Sequence, residues 1–345
     1  KGACGVRTAS ISSKTEGSFD LAPNVFPNTA LTLFRSKPRY RIALEWTMIS
    51  QYRFMEVSVA VFLSVDASLR YWRSDAPYYY KELIVSPAEN APFNNAVGRA
   101  GDIETLHLGE YCDEDGCIEL LVPAANRRAR TRTGLVTGRV LSYELPNHSF
   151  YRIKPLVYAC SPELLLVLFA ARHSLIETIA LGCELCGSYS VRSNTKEFEH
   201  TAITDTQTID DYLKTVPGID GADKCRKALK YISDGSASPR ETDLYMMLCL
   251  PPRLGGFGLG GAELNKGLDV KKQLKSVTSM KHIVPDICWD SKRVVVEYDS
   301  DDFHIDTSET RRKKKARITS DSIKRRTYSA KKYSVVTVTN GEFID

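Results

Sequence analysis

Pro285-Asp286-Ile287-Cys288-Trp289, followed by Val294-Val295-Val296-Glu297-Tyr298-Asp299 and then His304, sets acidic side chains around two short apolar runs. Val294 to Tyr298 is β-branched and apolar, which predicts a buried strand. Side chains two apart along a strand point the same way, so Glu297 and Asp299 share a face. Asp286 opens the earlier run, which closes on the turn-forming Asp290-Ser291-Lys292. If the two runs pair as a hairpin, the carboxylates of Asp286, Glu297 and Asp299 converge. Converging carboxylates repel unless a cation lies between them, and their hard oxygens suit Mg2+ or Mn2+.

The segments PDICWDSKRVVVEYDSDDFH (285–304), DSIKRR (321–326) and YSVVTVT (333–339) together resemble the restriction-endonuclease-like PD-(D/E)xK superfamily, in particular its very-short-patch-repair-like branch. The resemblance implies a C-terminal α/β domain with a mixed central sheet flanked by helices, and hydrolysis of DNA phosphodiester bonds. It makes Asp286, Glu297 and Asp299 metal ligands or their orienters. His304 becomes an acid, a base or a stabiliser of the leaving group, and Asp321, Lys324 and Arg325 belong to a supporting helix. One departure matters for catalysis: where the superfamily pattern has a lysine two residues after the Glu, this chain has Asp299. An active enzyme then depends on the metal, on His304 or on a lysine from elsewhere. The second function is a catalytically inactive DNA-binding regulator or antitoxin-like protein that keeps the nuclease fold as a scaffold.

Upstream, Ser238-Pro239-Arg240-Glu241 precedes Leu244, Met247 and Leu248 at helical spacing. Ser238 is a natural N-cap, Pro239 suits the first helical position, and Glu241 falls where a capping box needs its acid. Nucleases of the superfamily often carry a Glu on this first helix beside the metal, so Glu241 is read both as a cap and as a site residue.

Charge is unevenly distributed. Residues 1–235 hold 27 basic and 27 acidic side chains and residues 236–345 hold 20 and 15, so the net charge of +5 comes from the later part. Arg311, Arg312, Lys313, Lys314 and Lys315 form a run that Lys324 and Arg325 extend. Such a run is either a solvated face or a track for a polyanion. Beside an acidic pocket, which alone repels DNA, it is expected to hold the phosphate backbone.

Composition bounds the rest. With 43% hydrophobic and 26% charged residues over 345 positions, the chain suits a globular protein of two or three domains. The expected organisation is α+β: a mixed region at 1–150, a helical region at 151–235 and the endonuclease-like domain at 236–345. No apolar run reaches membrane-spanning length, and the first residues lack a secretory pattern although they begin without Met. Nine scattered cysteines suggest a reducing cytoplasm. Cys112 with Cys117 and Cys183 with Cys186 offer zinc-like spacing, the first pair reading equally as a hairpin turn. Ser68 to Ser74 interleaves aromatic and basic residues that either pack in the core or contact nucleic acid, and Arg127, Arg128, Arg130 and Arg132 lie on a basic loop. Helices are expected from Ser161 onward, again at Ile176 to Leu181, at Asp210 to Thr215 and at Ala222 to Ile232. The stretch from Leu145 to Ala170 resembles the middle of abortive-infection antitoxin and regulator proteins, which implies a toxin as a possible protein partner.

Overall fold

Strand β1 (Val61–Leu63) is apolar at every position and buried throughout, as expected of a strand with neighbours on both edges and layers on both faces. The computed structural model describes residues 60–74, 86–88, 93, 96, 104–124, 135–191, 201–270, 281–299, 311–339 and 341–342, with only the backbone described at 86–88 and 311–318. A six-stranded sheet runs in the order β2 (Ser86–Ala88), β5 (Phe150–Lys154), β6 (Val157–Cys160), β1, β3 (Ile118–Pro123) and β4 (Val136–Leu141). It is mixed, since β1 is parallel to β6 and antiparallel to β3, while β3 and β4 are parallel. Helix α1 (Val65–Trp72) follows β1 and buries Tyr71 and Trp72, whose indole N–H donates to the Cys160 carbonyl at 2.8 Å. That burial decides between the two readings of Ser68 to Ser74: its aromatic rings are core, not a nucleic-acid surface.

The middle of the chain is helical because its caps and apolar faces agree. Helix α2 (Pro162–Arg172) starts on Ser161, whose hydroxyl accepts the Leu164 N–H, and is apolar nearly all round. Such a helix must be enclosed. Helix α3 (Leu175–Leu185) opens with a complete Ser174–Glu177 capping box. Helices α4 (Thr206–Thr215) and α5 (Ala222–Leu229) pack their apolar stripes against α2. Gly221 precedes α5 in a left-handed conformation at φ 94°, and a Cβ there would lie 2.1 Å from the Val167 carbonyl oxygen. Only glycine lets α5 approach α2 so closely.

Helix α6 (Pro239–Cys249) leads to a second sheet in the order β12 (Ser334–Thr339), β11 (Val294–Asp299), β10 (Ile287–Trp289) and β7 (Glu263–Leu264). The expected hairpin is present: β10 and β11 pair antiparallel, with Ile287 opposite Val296 and Trp289 opposite Val294. Strands β8 (Leu268–Asp269) and β9 (His282–Ile283) pair separately, and helix α7 (Arg311–Lys331) precedes β12, which lies parallel to β11. Alternation sends side chains to two different cores. Ile287, Trp289 and Val296 join the main apolar cluster, while Cys288 and Val295 face the other way, onto Ile323, Tyr328 and Tyr333.

The molecule is therefore α+β. Residues 57–345 cluster as one compact unit, and residues 1–56 lie outside the described residues. The sequence division at 150 falls at the first residue of β5, inside the larger sheet, and the division at 235 cuts an apolar core that runs without interruption from Ala60 to Val296. Among the described residues no helix is long and apolar enough to cross a membrane.

Candidate active site

Asp286 stands one step beyond the Ile287–Val296 pair, which sets it across the ladder from Glu297 on the face that α7 covers. Its Oδ2 accepts the Tyr298 N–H at 2.6 Å, and its carbonyl accepts the Asn265 N–H at 3.0 Å. Partial burial pushes its carboxyl up to about 7, with the negative charges of Glu297 and Glu241 adding to the shift and the Tyr298 N–H and Lys324 opposing it. Near neutrality this acid stands between its two protonation states.

Glu297 is held from helix α7. Its Oε2 accepts from Lys324 Nζ at 3.0 Å, and its Oε1 accepts from the Tyr328 hydroxyl. Lys324 and Tyr328 are four residues apart and so lie on one helical face, turned toward the strand that carries the acid. The Tyr328 side chain is buried, and burial together with the Glu297 carboxylate drives its phenol well above the usual range. At 28% and 19% side-chain exposure, Lys324 and Glu297 form a partly buried pair.

Glu241 has the capping role read for it, and its carboxylate also reaches the neighbourhood of Asp286. The Ser238 hydroxyl accepts the Glu241 N–H at 3.1 Å, as a cap does, and the Glu241 carboxylate accepts the Ala237 N–H at 3.0 Å. The same Oε2 accepts from Asn265 Nδ2 at 2.7 Å, while Asn265 also donates to the Gly235 carbonyl. Asn265 thus ties the start of α6 to the strand end beside Asp286. It sits at φ 48°, a left-handed conformation that Asn tolerates better than most residues.

The remaining sequence-predicted residues are placed differently. Asp299 shares the parity of Glu297 but ends β11 in an exposed position opposite Thr339. Among the described residues no three His, Cys, Asp or Glu side chains group closely enough to hold a metal ion, so the three-carboxylate convergence is not made as expected and the cysteine pairs make no zinc site. Cys112 and Cys117 bracket a turn in which Asp113 accepts the Cys117 N–H at 2.7 Å. His304 and the loop arginines 127, 128, 130 and 132 lie outside the described residues, as do the side chains of Arg311, Arg312, Lys313, Lys314 and Lys315 on the helical backbone of α7. Arg325 is exposed. Lys324, read in the sequence as part of the supporting helix and of the basic run, donates to Glu297.

Tyr328 and Asn265 were not foreseen. The Lys324–Tyr328 spacing was the available signal for the first, but only with knowledge of which strand the helix covers. No family model, curated protein or solved structure matches this chain.

Proposed function

We propose that the chain is a metal-dependent endonuclease that hydrolyses DNA phosphodiester bonds on a restriction-endonuclease-like core. The observation that carries this reading is the Lys324 ammonium 3.0 Å from Glu297 Oε2, with Asp286 across the ladder. The linear motif lacks its lysine at position 299, and α7 supplies a cation from another direction.

The donor chemistry suits a hard divalent ion. Burial first, and then the charges of Glu297 and Glu241, hold the Asp286 carboxyl above its ordinary range, and a bound cation would favour its ionised form. Mg2+ commonly takes one or two carboxylates and fills its shell with water and phosphate oxygens. Asp286 and Glu297 would hold it, and when bound it neutralises charge that builds on the phosphoryl oxygens. Tyr328 and Lys324 fix the Glu297 carboxylate, and the Tyr298 N–H fixes that of Asp286. The ammonium of Lys324 attracts the phosphodiester anion and stabilises the negative charge of its transition state.

A second reading has its own observation: both Glu297 oxygens are already engaged, by Lys324 and Tyr328, which suits a closed scaffold in a DNA-binding regulator or antitoxin-like protein. A plasmid nicking assay with and without Mg2+ or Mn2+ separates the two. The nuclease reading expects divalent-dependent nicking that Glu297→Gln slows by about 100-fold or more while DNA binding persists. Intact plasmid with every divalent ion, or equal nicking by the variant, sinks it.

A further inference from the structure

A second cluster of charge lies in the larger sheet, on elements that carry none of these acids. A cleft of about 420 Å³ opens between β4, the end of α2 and the start of α5, lined by Arg139, Arg172, Asp220, Gly221 and Lys224 with two alanines. Of its cations, Arg172 is fully paired, while Arg139 and Lys224 are not. Glu119 on β3 takes both Arg172 donors, at 2.6 and 3.0 Å, and also the Ser64 hydroxyl at 2.5 Å. Arg139 is left 3.8 Å from that same carboxylate, and its Nη1 is buried without a hydrogen-bond partner. Lys224 donates to the His173 carbonyl at 2.6 Å, which leaves two of its three protons for another acceptor. The carboxylate of Asp220 is bonded by Tyr143. The lining carries three cations against the single carboxylate of Asp220, with Glu119 bonded to Arg172 behind them and the charge of Asp66 also acting on Arg139.

A buried guanidinium nitrogen without an acceptor is costly, and two guanidinium groups around one carboxylate repel. Burial, followed by the charge of Arg172, works against the protonated form of Arg139. An anion in the cleft would offset the repulsion between the two guanidinium groups.

We infer that this cleft binds a phosphate group. Guanidinium matches phosphate oxygens with paired donors, and Lys224 approaches from a different element, which suits a tetrahedral anion better than a flat carboxylate. The volume exceeds that of phosphate alone and falls within the usual range for small-molecule sites, so a phosphate monoester of nucleotide size fits. The same chemistry would accept a backbone phosphate of a nucleic acid.

The test uses the full chain and three probes: inorganic phosphate, adenosine 5′-monophosphate and a short DNA duplex. Binding is read by calorimetry and by thermal shift at matched ionic strength in chloride. Phosphate and the nucleotide are expected to bind and to raise the unfolding midpoint, and Arg139→Met and Lys224→Met each to weaken them by about tenfold or more, as expected for removing one charge-assisted hydrogen bond. Asp220→Asn should tighten both. Without ligand, Arg139→Met should be close to the parent in stability, because it removes a partly buried guanidinium that is only loosely paired, 3.8 Å from Glu119. If it fails to fold, Lys224→Met decides the question alone. A duplex that also loses affinity in these variants identifies the source as nucleic acid, and an unchanged duplex identifies a small molecule. Absence of any phosphate response, or a response untouched by both variants, overturns the assignment. The nicking assay is independent of either result.

Discussion

Asp286 keeps its proton to about pH 7 in the folded chain, against roughly 3.9 for an unfolded Asp. Between those values the unfolded state has lost a proton that the native state retains, so stability falls as pH rises, by up to about 1.4 kcal/mol per unit. Above about 7 the decline is complete and the contribution is flat. Asp286→Asn keeps an acceptor for the Tyr298 N–H and removes the ionisation. The variant should match the parent near pH 4 and exceed it increasingly up to neutrality, and urea unfolding measured across that window would refute the account if the two curves stayed parallel. Lys324→Met acts in the opposite direction, leaving a partly buried Glu297 with only Tyr328, and should cost on the order of 1–3 kcal/mol. Gly221→Ala is expected to be harsher than a helix-end substitution usually is, by roughly 2–4 kcal/mol, because its Cβ meets the backbone of α2 and its φ is left-handed.

At the scale of elements, α7 and β11 act as a pair. Val295 and Glu297 both face α7, the first onto Ile323 and Tyr328 and the second onto Lys324 and the Tyr328 hydroxyl. Tyr328→Phe keeps the ring and removes one bond to the acid, so it should destabilise by about 1–2 kcal/mol and leave the far-ultraviolet circular dichroism of the folded state unchanged. Reversing Arg311, Arg312, Lys313 and Lys314 to Glu tests the basic run. Affinity for DNA of any sequence should drop, and the salt dependence should flatten by about one unit of slope for every phosphate that is no longer neutralised. An unaltered slope would leave this run a solvated face. The hairpin was legible in the sequence because β-branched residues, alternation and a turn all agree locally. The inward aim of Lys324 was not, since a basic helix looks the same from sequence whichever face docks. The capping of α2, α3 and α6 was equally legible, each resting on a Ser and its neighbours within one turn.

At the scale of the whole molecule, the main apolar cluster joins Ala60 on one side to Trp289 and Val296 on the other. Residues 236–345 cut from the rest would expose Leu244, Ile287 and Trp289 to water. Such a fragment should lack a cooperative thermal transition, whereas the entire chain should unfold residues 57–345 in one step, a contrast visible in tryptophan fluorescence. A fragment with its own sharp transition would restore the boundary at 235. Sequence composition could not reveal this continuity. Strand order is a long-range property, and β1 finds β6 nearly a hundred residues later, with nothing in either segment that names the other.

The acids and their cation come from separate stretches of chain: Asp286 and Glu297 from the hairpin, Lys324 from the helix that docks on it afterwards. On the proposed reading, a nascent polypeptide carries both acids yet stays harmless to nearby DNA until α7 has emerged and seated. The order of synthesis then serves as a safety catch. A chain cut short before α7 would leave the catch closed, with both acids present and no cation beside them.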